Sequence, residues 1–198
     1  MAEMRNLLSD PWPNSVVKWA SDSLSDLLLR MTDDGQRIYM ETTVANRDLY
    51  IRNLTANLTG RFVFAVNFAE FGGGASSALM VFERNTWSML ASKQVSQVGM
   101  AAVSFTANNQ PTQLRIQCGS LVGQKVIIDH LLLMTQEDWT HMRNLKNSDG
   151  SAANVRWFAP PKTAATGVMS TPALDWGGGA LLVLLAVIHT LMWRWRHD

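Results

Sequence analysis

Cysteine is all but missing. Cys118 is the only one in 198 residues, so no internal disulfide can form and the small disulfide-stapled scaffolds are excluded. An excess of charge is missing too. Seventeen Lys and Arg face sixteen Asp and Glu, scattered without a block of one sign, which removes the electrostatic basis for nucleic-acid binding. There is no phosphate-cradling glycine loop, no dinucleotide fingerprint and no G-x-S-x-G nucleophile motif. The four histidines, His130, His141, His189 and His197, lack metal-ligand spacing to one another or to Cys118. Cys118 itself alternates with Leu114 and Ile116 and reads as a core thiol. These absences argue against an enzyme. Residues 1–8 lack the apolar run of an export leader, and the single cysteine is in keeping with intracellular synthesis.

What is present is period-2 patterning. In residues 61–68, Phe62, Phe64, Val66 and Phe68 fall on one face. Asp33-Asp34-Gly35 is a turn signal between apolar residues 27–31 and the β-formers of 37–44, which predicts a hairpin. Strands are further predicted at 6–8, 77–83, 86–90, 100–107, 112–118 and 125–134. Arg84-Asn85 turns the chain between the second and third of these, and Asn108-Asn109-Gln110-Pro111 ends the fourth. Residues 125–134 are apolar on both faces, as expected of a central strand. Thr135 is placed to cap a short helix ending near Asn144, with Glu137 and Asp138 in its first turn. No crossover helices separate the strands. The fold class is therefore mainly β: a single β-sandwich or jelly roll followed by the short helix, together the domain of residues 1–145. Residues 146–175, rich in Pro, Ala, Ser and Thr, read as a linker.

Residues 176–198 form a different kind of segment. Residues 177–192 contain no charged side chain. Trp176 stands at one end, Trp193 with Arg194, Trp195 and Arg196 at the other, and Leu181, Leu185 and Ile188 lie between. Aromatic belts with trailing arginines are the pattern of a transmembrane helix. At ~1.5 Å per residue the span is about 26 Å, slightly short of the ~30 Å hydrocarbon layer, so a helix buried against protein remains the alternative. The positive-inside rule puts the two arginines in the cytoplasm and the head outside, yet nothing in the head would export it. Synthesis in the cytosol followed by packaging into a particle resolves that conflict.

Three stretches carry a resemblance. Arg5-Asn6-Leu7-Leu8 followed by Asp10-Pro11-Trp12 and Trp19, then Val103-Ser104-Phe105-Thr106-Ala107 with Leu114-Arg115-Ile116, and finally Val126-Ile127-Ile128-Asp129-His130-Leu131-Leu132-Leu133, occur in the order found in one group. Over residues 5–145 the chain resembles the carbohydrate-binding-module-like, or galactose-binding-like, jelly rolls, which phage minor tail proteins often carry. The resemblance implies glycan or protein binding and, in some members, a structural calcium. Asp129 matches the closing-strand aspartate that often serves such a site, with Asp10 as a candidate partner. The plainer role for Asp129 is a bond to turn backbone, and calcium needs six or more oxygens. No other cofactor is expected.

Glycan binding needs exposed aromatic platforms beside polar groups. The candidates are Trp87, Tyr39, Tyr50 and Trp19, with Trp87 best placed beside Arg84 and Asn85. A Trp in a sandwich also packs in cores. The expectation is a non-enzymatic phage virion protein of the tail or tail tip, made in the host cytoplasm. Its partners would be other virion subunits, further copies of itself, surface glycan and, through the C-terminal helix, a membrane. The alternative is a cellular, single-pass membrane-anchored glycan-binding protein.

Overall fold

The computed structural model describes residues 4, 6–8, 15–17, 19–20, 26–45, 48–51, 57–146 and 149–150. Its organising pair is β5 (Asn57–Gly72) and β8 (Gly99–Gln117), two long strands that run antiparallel. Around them lie β1 (Trp19–Ala20), β2 (Leu27–Met31), β3 (Ile38–Thr42), β4 (Asp48–Ile51), β6 (Ser77–Glu83), β7 (Met89–Val95) and β9 (Lys125–Thr135). All pairings are antiparallel. The nine strands form one sheet, with β6 and β7 branching from β8.

That sheet folds over on itself along β8. The first half of β8 closes one layer, in the order β2-β3-β9-β5-β8, called layer B below. Its second half lies in the other, layer A, between β4 and β6, with β7 outside β6. A bulge makes the transfer possible. Leu58 pairs with Gln110 but Thr59 pairs with Asn108, which leaves Asn109 as the extra residue, at φ +56°. Before the bulge the buried residues of β8 are odd-numbered (Ala101, Val103, Phe105, Ala107). After it the buried apolar residues are even-numbered (Leu114, Ile116), followed by Cys118 just past the strand. One extra residue thus keeps a single strand facing inward in both layers.

The inward side chains make one core. Phe62, Phe64, Val66, Phe68, Ile38, Met40, Val126, Ile128, Leu131 and Leu133 come from layer B, and Leu79, Val81, Leu114 and Ile116 from layer A. Phe62 stacks on Phe105 with ring centroids 5.8 Å apart. Asn6 ties the N-terminal segment to this body. Its amide donates to the Leu131 carbonyl at 3.0 Å, and its oxygen accepts from the Leu133 N–H at 3.1 Å.

The helix α1 (Gln136–Asn144) follows β9 directly. Thr135 caps it, its hydroxyl accepting from the Asp138 N–H at 3.1 Å. Met142 and Trp139 pack on Ala65, Leu132 and Met134 on the outer side of layer B. That explains why β9 is apolar on both faces: one lines the core and the other lies under α1.

The sequence suggests that residues 108–111 end a strand, but the chain runs through them as β8. Pro111 is accommodated there, its carbonyl accepting from the Arg84 N–H at 2.9 Å. Residues 86–88, read as strand, belong to the connection before β7. Residues 6–8 form no strand, although the Leu7 N–H bonds to the Leu133 carbonyl at 2.7 Å. Apart from residues 146, 149 and 150, the linker and the apolar C-terminal segment lie outside the described residues. Among the described residues no helix is long and apolar enough to cross a membrane.

Candidate ligand-binding face

Because Leu114 and Ile116 face the core, Gln113 and Arg115 of β8 face outward. Register sets Arg115 beside Met80 of β6, and Gln113 beside Phe82. The turn from β6 to β7 then brings Trp87 over this row. The Arg115 guanidinium lies 5.1 Å from the centroid of the Phe82 ring and 5.4 Å from that of Trp87. Its Nε donates to Gln113 Oε1 at 2.7 Å. Arg115 and Gln113 are buried, whereas Trp87 is 53% exposed.

The turn is held from inside. The Glu83 N–H donates to the Ser88 carbonyl at 2.9 Å. The Thr86 hydroxyl donates to the buried Glu83 carboxylate at 2.6 Å and approaches Ser88 Oγ at 2.9 Å. Gln110 can turn its amide nitrogen to both Glu83 oxygens at 3.1 Å. Trp87 itself sits at φ +56°, a left-handed conformation that costs an L residue about 1–2 kcal/mol. The result is an indole fixed on a guanidinium, with one face toward solvent. Such a ring can stack on the apolar face of a sugar ring while side-chain amides and backbone groups nearby serve the hydroxyls.

Trp19 and Tyr39 lie elsewhere, whereas register sets Tyr50 beside this row. Trp19, 4% exposed, is packed in the core, which removes its ring from solvent. Tyr50 is the register partner of Arg115 across β4 and β8. Tyr39 is on the outer side of layer B, under the Arg30 guanidinium at 4.3 Å. Its hydroxyl donates to the Glu41 carboxylate. That bond, then partial burial, raises its pKa above the ordinary tyrosine value. Lys125 and Glu70 pair at 2.7 Å in the same layer.

Asp129 sits where β9 bulges against β5, since Val66 pairs with Leu131 and Phe68 with Ile128. Its carboxylate accepts from the Asn67 amide at 2.8 Å and meets His130 Nδ1 at 2.7 Å. These partners are side chains, not turn backbone. They turn nitrogens toward the carboxylate, which is not the oxygen-rich set that calcium requires. Among the described residues no three His, Cys, Asp or Glu side chains gather as metal ligands. Asp10 lies outside the described residues, as do Trp176, Leu181, Leu185, Ile188, Trp193, Arg194 and Arg196. Cys118 is buried, and desolvation pushes its thiol up to about 12.

Phe82, Arg115 and Gln113 were not singled out by sequence. The alternation that turns Leu114 and Ile116 inward already turns Gln113 and Arg115 outward. The pairing with β6, which brings Phe82 and Trp87 to them, has no local signal.

No protein-family model matches this sequence, and no curated protein matches it. Solved structures do match. One is TmCBM61 in complex with β-1,4-galactotriose (TM-score 0.46, 12% identity, 67% of this chain and 99% of that one). Another is the CBM22-1–GH10 modules of the Clostridium thermocellum endo-1,4-β-D-xylanase 10B complexed with xylohexaose (TM-score 0.48, 13% identity, 67% of this chain and 29% of that one). A third is a CBM4 structure (TM-score 0.46, 10% identity, 66% of this chain and 99% of that one). These neighbours are, or contain, carbohydrate-binding modules.

Proposed function

We propose that the sandwich is a non-catalytic glycan-binding module whose platform is the Trp87 indole. The observation that carries this reading is the combination found at Trp87: half-exposed, in a left-handed backbone conformation, and stacked on a buried Arg115. Strain held in place by a bonded turn marks residues whose exposed geometry is used.

The expected contribution follows from the exposure. A Trp side chain offers ~250 Å² at most, of which 53% is open. One face of that is ~65 Å², worth about 1.6 kcal/mol at ~25 cal/mol per Å², or roughly 15-fold in affinity. Affinity electrophoresis through gels containing soluble β-glucan, xylan or galactan tests this. The unsubstituted protein should be retarded by at least one polymer, and Trp87→Ala should lose that retardation with its circular dichroism unchanged. A Trp87→Ala chain retarded as strongly as the unsubstituted one would sink the assignment.

The finer reading places this module in a phage virion, as a tail or tail-tip component that a membrane-competent C-terminal helix brings to the host envelope. Its support is the sequence: the uncharged run of residues 177–192, closed by Trp176 and by Trp193, Arg194, Trp195 and Arg196. Full-length protein should float with liposomes, and a chain truncated after Ala173 should not. If the full-length chain ignores lipid but assembles in a way the truncated chain cannot, the segment is an assembly helix instead.

A further inference from the structure

Trp87 is not the only large apolar side chain left open where β7 begins. Met89, two residues on, is also 53% exposed. A bulge turns it outward. Val81 pairs with Ala91 but Phe82 pairs with Met89, which leaves Leu90 as the extra residue. Leu90 and Ala91 pack against the core, and Met89 falls on the outer side, directly opposite Phe82. Directly opposed Cβ atoms are ~4.5–5.5 Å apart, so Met89 borders the Phe82 ring over which the Arg115 guanidinium lies. The other methionines among the described residues are more covered. Met40, Met80, Met134 and Met142 are buried, and Met4, Met31 and Met100 are half-buried.

We infer that Met89 is a second contact of the ligand platform and the point at which a peroxide closes it. The inference rests on the reading of Trp87 as a glycan platform. A thioether is apolar and flexible, so it can follow the apolar face of a sugar ring where a rigid ring cannot. It is also the residue on this face most open to oxidation. The Met89 sulfur attacks one oxygen of hydrogen peroxide. The S–O bond forms as the O–O bond breaks, and the departing hydroxide takes the proton of the transferred oxygen and leaves as water. Sulfur is oxidised by two electrons and the peroxide is reduced by two. The sulfoxide is polar and chiral. Its oxygen holds water on a surface that a sugar ring must dry, so the apolar contact at residue 89 is lost. Met80, on the same outer side of β6, is buried and therefore shielded from the same reaction.

Affinity electrophoresis of the full-length chain before and after mild hydrogen peroxide tests this, with peptide masses locating the added oxygen. Losing about one methylene's worth of apolar contact weakens binding roughly fourfold. That fall should appear once residue 89 carries the oxygen, with circular dichroism unchanged. Met89→Leu, whatever its own starting retardation, should show no fall on the same treatment. Met89→Gln puts polarity at the site without peroxide and should reproduce the fall. Retardation undiminished by the sulfoxide at residue 89, or by Met89→Gln, overturns the inference. So does a residue 89 that stays unoxidised, or a Met89→Leu chain that loses retardation in the same proportion, since another side chain then carries the effect. A protein that no polymer retards, or one indifferent to Trp87→Ala, is a separate failure: the platform reading falls, and this inference with it.

Discussion

Replacing Trp87 by Gly should leave the protein more stable than replacing it by Ala. Both changes remove the indole and its contact with Arg115, so that loss cancels in the comparison. What remains is the backbone. At an ordinary position Gly is less favourable than Ala by about 0.5–1 kcal/mol, through the entropy of the unfolded chain. Position 87 is at φ +56°, where Ala meets the left-handed penalty of about 1–2 kcal/mol and Gly does not. The difference favours Gly by about 0.5–1 kcal/mol, which for a domain of this size is a melting-temperature gap of roughly 1–4 °C. Urea denaturation of the two variants measures it, provided their m-values agree. Ser92, exposed on β7, supplies the control: there Ser92→Gly should be the less stable of the Gly and Ala pair. If Trp87→Ala matches or exceeds Trp87→Gly, residue 87 is not left-handed in solution, and the argument from strain to ligand binding collapses. Both variants should lose polysaccharide retardation whichever is the more stable.

Gln124 is 5% exposed and joins two loops. Its oxygen accepts from the Ser120 and Leu121 N–H groups at 2.9 and 3.0 Å, and its nitrogen donates to the Gly74 carbonyl at 3.1 Å. Gln124→Leu leaves those groups without partners and should cost about 2–4 kcal/mol by urea denaturation; a loss below ~1 kcal/mol would contradict these bonds. Tyr39 has a raised pKa through its bond to Glu41, so its contribution is complete below the unfolded value of about 10 and fades as pH rises through the folded one. Tyr39→Phe should therefore flatten the fall in stability at alkaline pH, and an unchanged profile would count against the bond. Cys118, with its thiol pushed up to about 12, should resist thiol reagents at pH 8 in the native protein and react at once in denaturant.

Much of layer B was legible because its signals are local. Phe62, Phe64, Val66 and Phe68 alternate in plain view, Gly35 marks the β2–β3 turn with φ +67°, and Thr135 caps its helix as its position suggests. The misreadings fall where local chemistry points to one structure and long-range pairing imposes another. Asn108-Asn109-Gln110-Pro111 has the composition of a turn, yet pairing with β5 turns it into a bulge within a single strand, and β6 takes up the strand from Thr112. Trp87 has strand propensity, but Thr86 is held by the Glu83 carboxylate and Ser88 by the Glu83 N–H, which keeps residue 87 in the turn. The platform was legible in part. Trp87 could be singled out by its neighbours in sequence, but Arg115 and Phe82 come to it from strands whose pairing no local pattern announces.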